Sequence, residues 1–525
     1  MKPTKQFLLV SLLAFLFVSV AGAQEKLGKV TFPTSCDPKV QAEFERGVAM
    51  LHSYWFTEGG KVFDAVAKQD PNCVMAYWGY AVNLLNNTLG GPPPAKDAQM
   101  AWEALERARA LNAKTPRERD WVDALSAYFR DHDKMSVDDR LLAYTKAMEQ
   151  MTQRYPDDFE VWAYYALTLQ ASAPKTDKTY ANQLKSAGIL EKLFKQNPQH
   201  PGVSHYLIHA YDYPPLADKG IGAARRYAGI APAAPHARHM PSHIYSMVGL
   251  WEESIASNRS ALEIQSTYYH AMDFTMYAHL QLAQDVKAKA MIDEVYKIGR
   301  DELLAKDNIG TVVAYTALAV IPARYALERG DWKAAAALPV VPTKRAMADS
   351  LIRFTRGLGM ARSGDIAGAK REIEAMQGFT AALLKAKDVY WAARSEEQIL
   401  AVNAWIALAE GARDQAVKLM RAAADGEDGS VKHVAMENRL YPMRELFADL
   451  LLETRQAAPA LREFEAALKE NPNRYRGLYG AARAAEAAGD QKKAESYFAK
   501  LVKVAEKSDT DRPEIAKAKM FLAKK

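Results

Sequence analysis

Cysteine is scarce. Of 525 residues only two are cysteine, and neither Cys36 nor Cys73 stands in a thiolate-protease context. Glycine and proline number 28 and 24, too few for a collagen-like or low-complexity chain. No charge of one sign dominates: 69 Lys and Arg against 63 Asp and Glu leave +6, and no basic run gathers that excess into a nucleic-acid face. A Walker A loop is missing, and Gly357-Leu358-Gly359 lacks the rest of a dinucleotide fingerprint, so no nucleotide cofactor is expected. The zincin motif is missing too, because Tyr206 and Met240 stand where its glutamate would be. There is no Gly-x-Ser-x-Gly elbow. What is present is 49% apolar and 25% charged, the balance of a folded soluble protein.

Long apolar runs are confined to the N-terminus. Lys2 and Lys5 precede the run Phe7 to Val20, and Ala21-Gly22-Ala23 follows it. A basic region, a short apolar stretch and a small-x-small site predict a signal peptide over 1–23. The protein is therefore expected to be exported, periplasmic or secreted, with no transmembrane segment in the mature chain.

The remainder reads as helices with an internal period. Strand alternation is scarce, and stretches such as Ala481–Ala488 are rich in helix formers. Ala448, Ala460 and Phe464 recur as Ala482, Ala494 and Phe498, each 34 residues on, with Pro472 closing one unit and Gly489-Asp490 at the turn of the next. Small residues, then Ala-x3-Phe, then Pro at that period is the tetratricopeptide pattern. The same phrase opens the chain as Phe63-x3-Ala67-x3-Pro71, with Gly59-Gly60 before it, and weaker copies lie around Gly249, Gly330 and Gly364. The fold expected is all-α, an α-solenoid of helical hairpins, with a toroid closed on itself as the alternative. The organisation expected is N-terminal hairpins over 24–90, helical repeats over 91–199, a histidine-rich core over 200–280, degenerate repeats over 281–435, and a C-terminal repeat pair with tail over 436–525.

In an antiparallel hairpin the start of the first helix lies beside the end of the second. Cys36 just precedes one helix and Cys73 just follows its partner, so a disulfide is expected that staples the terminal unit.

Chemistry is concentrated in one segment. Eight of the eleven histidines fall between 200 and 279. Pro201 suits a first helical turn, which makes His205 and His209 i,i+4 neighbours with Asp212 one turn on. Pro241 suits another helix start, with His243 in its first turn and His236 and His239 on the incoming loop. His270, Asp273 and Tyr277 form a third stripe. Imidazole binds copper, zinc, iron and nickel, and an i,i+4 pair plus a third ring makes a three-ligand set. The metal ligands expected are His205, His209, His239 and His243 converging on one site, with His200, His236 and His270 behind them. Asp212 and Asp273 would ligate or orient an imidazole. Six imidazoles around two ions would suit copper or iron, and three around one would suit zinc holding an activated water. Tyr206 and Tyr277 are the expected neighbours of a bound oxygen species. A buried His–Asp–Tyr hydrogen-bond network and an organic-ligand pocket stand as alternatives. His52, His132, His279 and His433 read as core or surface residues.

The phrases His200-Pro201-Gly202, His205-Tyr206-x-Ile208-His209, Ala223-Ala224-Arg225-x-Tyr227-Ala228 and His236-x2-His239-Met240-Pro241-Ser242-His243-Ile244 occur together with Ser35-Cys36, Met75–Gly79 and Asn471–Tyr475. In these the chain resembles a group of bacterial exported tetratricopeptide-repeat proteins. The resemblance spans nearly the whole mature chain and implies fold and export, not a reaction. Two functions therefore stand: a protein with a transition-metal site in its central helices, and a non-enzymatic scaffold that binds a peptide or protein partner in the solenoid groove.

Overall fold

The computed structural model describes residues 25–306, 312–434, 436 and 439–524. The expected signal peptide over 1–23 lies outside these residues. Helices follow one another along the chain, and no strand occurs among the described residues. No helix among them is long and apolar enough to cross a membrane.

The hairpin is the building unit. Gln41–His52 and Phe56–Gln69 form the first, followed by Val74–Leu85. Phe63 is fully buried, and it lies so close to Gly79 of the third helix that a Cβ there would collide with its ring. The C-terminal units repeat this contact: Phe464 of helix Ala457–Glu470 lies against Gly480 of helix Tyr475–Ala487, again without room for a Cβ. A large ring opposite a glycine lets neighbouring hairpins pack backbone to ring. Ala460, Ala482, Ala494 and Phe498 are also fully buried, so the small-residue and Phe positions of the 34-residue period are the packing seam.

Cys36 and Cys73 are disulfide-bonded, with Cα atoms 4.8 Å apart across 37 residues. The bond joins the entry of the first hairpin to its exit, as the antiparallel geometry requires.

Segments far apart in sequence also meet. The Lys29 amide donates to the Gln199 carbonyl at 2.9 Å, and the Val431 amide to the Lys175 carbonyl at 3.0 Å. Trp251 Nε1 donates to the Asn473 carbonyl at 3.0 Å. Arg474, fully buried, reaches Glu328 at 2.6 Å and the Tyr277 hydroxyl at 2.7 Å, and also binds Glu445. The row of hairpins thus folds back, so that the central helices are braced by units from both ends.

Candidate metal centre

Four short helices carry the histidine-rich segment. Pro201–Tyr211 begins at a proline, and the His200 side chain caps it. His236 and His239 lie on the helix Pro235–His239 rather than on a loop, because Pro235 opens one more helical turn. Pro241–Met247 carries His243, and Tyr269–Gln281 carries His270.

The seven candidate histidines divide differently from the expectation. They do not form one site of four with three behind. His205, His209 and His236 form one triad, and His239, His243 and His270 form another, with one nitrogen from each ring within 4.8 Å of the others in its set. Each i,i+4 pair stays together, and the third ring comes from the next helical unit. The triads adjoin, with the rings of His209 and His243 5.8 Å apart and those of His236 and His239 5.9 Å apart. All six rings are buried except His236, which is half-buried.

The outward nitrogens of four of the six rings are held. His205 Nδ1 donates to the His52 carbonyl at 2.6 Å. His239 Nδ1 lies 2.6 Å from Asn258 Oδ1. Asn258 Nδ2 donates to the Ser254 carbonyl, so the amide presents its oxygen to His239. His243 Nδ1 lies 2.9 Å from Asp212 Oδ2, which also accepts from Lys432 at 3.0 Å. His236 Nδ1 meets the Tyr268 hydroxyl at 2.7 Å.

The inward nitrogens then face one another. His239 Nε2 and His243 Nε2 are 3.0 Å apart. In the first triad His205 Nε2 lies 3.0 Å from His209 Nε2 and 2.9 Å from His236 Nε2. A neutral imidazole that donates from Nδ1 has only a lone pair at Nε2. His239 and His243 therefore aim two lone pairs at one spot. Protonating a ring would relieve this, but burial opposes it. Burial pushes His205 down to about 3 and His239 down to about 4. His209, His236, His243 and His270 are pushed well below the usual range, first by burial and then by neighbouring imidazoles. His270 Nδ1 and Asp212 Oδ1 are buried with no hydrogen-bond partner.

The other predicted residues lie elsewhere. His200 joins His52 and Glu160 in a third buried cluster, where Glu160 accepts from both rings at 2.9 Å. His200 Nδ1 accepts from the Val203 amide, and His52 Nδ1 meets the Tyr206 hydroxyl at 2.9 Å. Every nitrogen there has a complementary partner, so the cluster closes with neutral rings. Asp273, expected beside a ligand, is instead bound by Arg324 at 3.1 Å. It is one turn beyond His270 and faces the buried guanidinium. Tyr277 meets Arg474, so neither expected tyrosine hydroxyl is directed at a triad. His279 Nδ1 bonds Gln284, and His433 packs on Tyr390 and Trp391.

The sequence spacing did not mark Asn258, Tyr268, Phe274 or Lys432 as neighbours of the site, and two more residues escaped it. His52 supplies both the carbonyl that orients His205 and a ring of the third cluster. Tyr54 packs on the whole first triad, its ring centroid 4.5 Å from His205, 5.1 Å from His236 and 6.2 Å from His209. Its φ is +50°, a left-handed backbone that costs a non-glycine residue about 1–2 kcal/mol. A tyrosine at a hairpin turn was the available signal.

Neither a protein-family model nor a curated protein matches the chain. Among solved structures, Naa15/Naa10 bound to HypK-THB is 13% identical over 92% of this chain and 73% of that one, with a TM-score of 0.25. A human IFIT1 dimer with m7Gppp-AAAA is 10% identical over 82% of this chain and 90% of that one, with a TM-score of 0.36. A monomeric IFIT1 mutant with Gppp-AAAA is 12% identical over the same shares, with a TM-score of 0.38. Likenesses this low carry no argument about function.

Proposed function

We propose that this is an exported helical-repeat protein whose two adjoining histidine triads each hold one transition-metal ion. The observation that carries the reading is the facing pair of Nε2 atoms in His239 and His243, 3.0 Å apart, on rings whose Nδ1 atoms meet oxygen acceptors. A cation at the meeting point of the lone pairs removes the mismatch, and its charge makes protonation of the rings unnecessary. Outer oxygens on ligand Nδ1–H groups are the usual means of orienting metal-bound imidazole. His52, Asn258 and Asp212 fill that role here.

Neutral imidazole alone, with no carboxylate among the six rings, favours copper over the harder ions, and copper stands at the top of the divalent affinity order. A copper pair at this spacing would supply one-electron chemistry at two adjoining centres. The chain's own contribution is to fix the ring planes, exclude water with Tyr54, Tyr268 and Phe274, and keep Asp212 neutralised by Lys432. Ring contacts of Phe274 with His239, His243 and His270, at 4.8–4.9 Å, make the second triad the drier one.

Export is supported by the N-terminal sequence pattern and by the Cys36–Cys73 bond, which suits an oxidising compartment. The second reading, a scaffold for a peptide or protein partner, is favoured by the helical hairpins themselves, which build extended surfaces. Elemental analysis of untagged, exported protein separates the two. Two equivalents of copper, zinc or iron per chain support the metal reading, and less than a tenth of an equivalent leaves the scaffold.

A further inference from the structure

The turn that carries Tyr54 recurs throughout the chain. In it a residue with positive φ follows a helix, and the next amide donates to the carbonyl five residues back. Trp55 donates to Met50 in this way, as do Leu250 to Tyr245, Asp331 to Ala326, Asp365 to Met360, Ala412 to Ala407 and Asp490 to Ala485. In the last five the positive-φ residue is Gly249, Gly330, Gly364, Gly411 or Gly489, as the backbone prefers at this position. Ala283, Lys387 and Arg455 hold it in three further turns, Ala283 with only a buried methyl and the other two with side chains exposed to solvent. Tyr54 alone among the described turns of this kind places an aromatic ring there, and that ring enters the histidine site. It lies edge-on to His205 and stacks on His236 at 27°. Phe56 also stacks on it at 5.2 Å. The Tyr54 hydroxyl is buried and makes no hydrogen bond, to the imidazoles or to any other described group.

We infer that Tyr54 is a positioning residue of the first triad. Resting on the two-ion reading above, the inference assigns the ring, not the hydroxyl, to holding the planes of His205, His209 and His236 so that their nitrogens converge. The ring occupies a position where glycine would serve the turn better, and its face and edge meet all three imidazoles. Neither feature is needed by the hairpin alone, since the same turn forms elsewhere without an aromatic side chain.

The test uses full-length protein stripped of metal and titrated with copper(II), with affinities from competition against a chromophoric chelator and the visible spectrum recorded at each equivalent. Tyr54→Phe should bind two equivalents with wild-type affinities and spectrum. Tyr54→Gly should bind one equivalent at least ten-fold more weakly, with a changed spectrum for that ion, and leave the other unchanged. Arg455→Gly, which makes the same exchange in the turn between helices Met443–Glu453 and Ala457–Glu470, should alter neither. The inference is overturned if Tyr54→Gly keeps both affinities and spectra, or if both equivalents weaken alike, which marks a general effect on the fold. It is also overturned if Tyr54→Phe fails as Tyr54→Gly does, because the hydroxyl then matters. Wild-type protein that takes up no copper defeats the two-ion reading itself, and this inference with it.

Discussion

His239 and His243 face each other through Nε2 at 3.0 Å, while their Nδ1 atoms meet Asn258 and Asp212. The third cluster is the contrast within the same molecule. His52 and His200 bracket Glu160, and each of their nitrogens finds a group of opposite hydrogen-bonding character. One arrangement is complete as protein alone, and the other leaves two imidazole lone pairs facing each other.

Glu160→Gln tests that contrast. The amide would direct an N–H at one of the two imidazole N–H groups and leave a buried donor unpaired. A loss of about 2–3 kcal/mol in unfolding free energy is expected, with metal content unchanged. Loss of metal in this variant would place an ion in the third cluster.

Asp212→Asn keeps the shape but removes the charge that orients His243 and pairs with Lys432. Metal affinity at one of the two sites should fall 10–100-fold, measured by chelator competition. Equal affinities in wild type and variant would mean that His243 needs no such anchor.

Acid should destabilise the metal-free protein. His205 and His239 have folded values of about 3 and about 4, below the unfolded value near 6.5. As pH falls from about 6.5 towards about 4 the unfolded chain takes up protons that the folded chain refuses, so stability drops. The slope is at most about 1.4 kcal/mol per pH unit for each group. Urea midpoints at pH 7.5 and 5.5 should differ more for wild type than for His239→Gln. Equal pH dependence would show that His239 is not held neutral by the fold.

The disulfide should carry stability of its own. Its 37-residue separation implies about 3–4 kcal/mol by loop-closure entropy. Cys73→Ser should melt several degrees lower, and an unchanged melting temperature would mean the first hairpin is equally ordered without the bond.

The hairpins were legible because their signal is local and repeated: Phe63 and Phe464 mark the same seam at opposite ends of the chain. The cysteine pairing was legible for the same reason, since hairpin geometry alone brings Cys36 to Cys73. His205 and His209 were legible as helical neighbours, and His239 and His243 only as a second His-x3-His spacing, because His239 was expected on a loop. Their partners were not. His236 and His270 reach their triads, and His200 leaves them, through packing between helices that no sequence spacing encodes. Asp273 looked equivalent to Asp212 on its stripe, but Arg324, 51 residues on, claims it. Tyr54 was hidden because a tyrosine at a turn reads as ordinary until the glycines at the matching turns are lined up beside it.

Anomalous diffraction from crystals of metal-loaded, untagged protein tests the central claim most directly. We expect two peaks at the absorption edge of the bound metal, one within about 2.0–2.1 Å of nitrogens from His205, His209 and His236, and the other at that distance from His239, His243 and His270. Absence of both peaks, or a single peak at His52, Glu160 and His200, would contradict it.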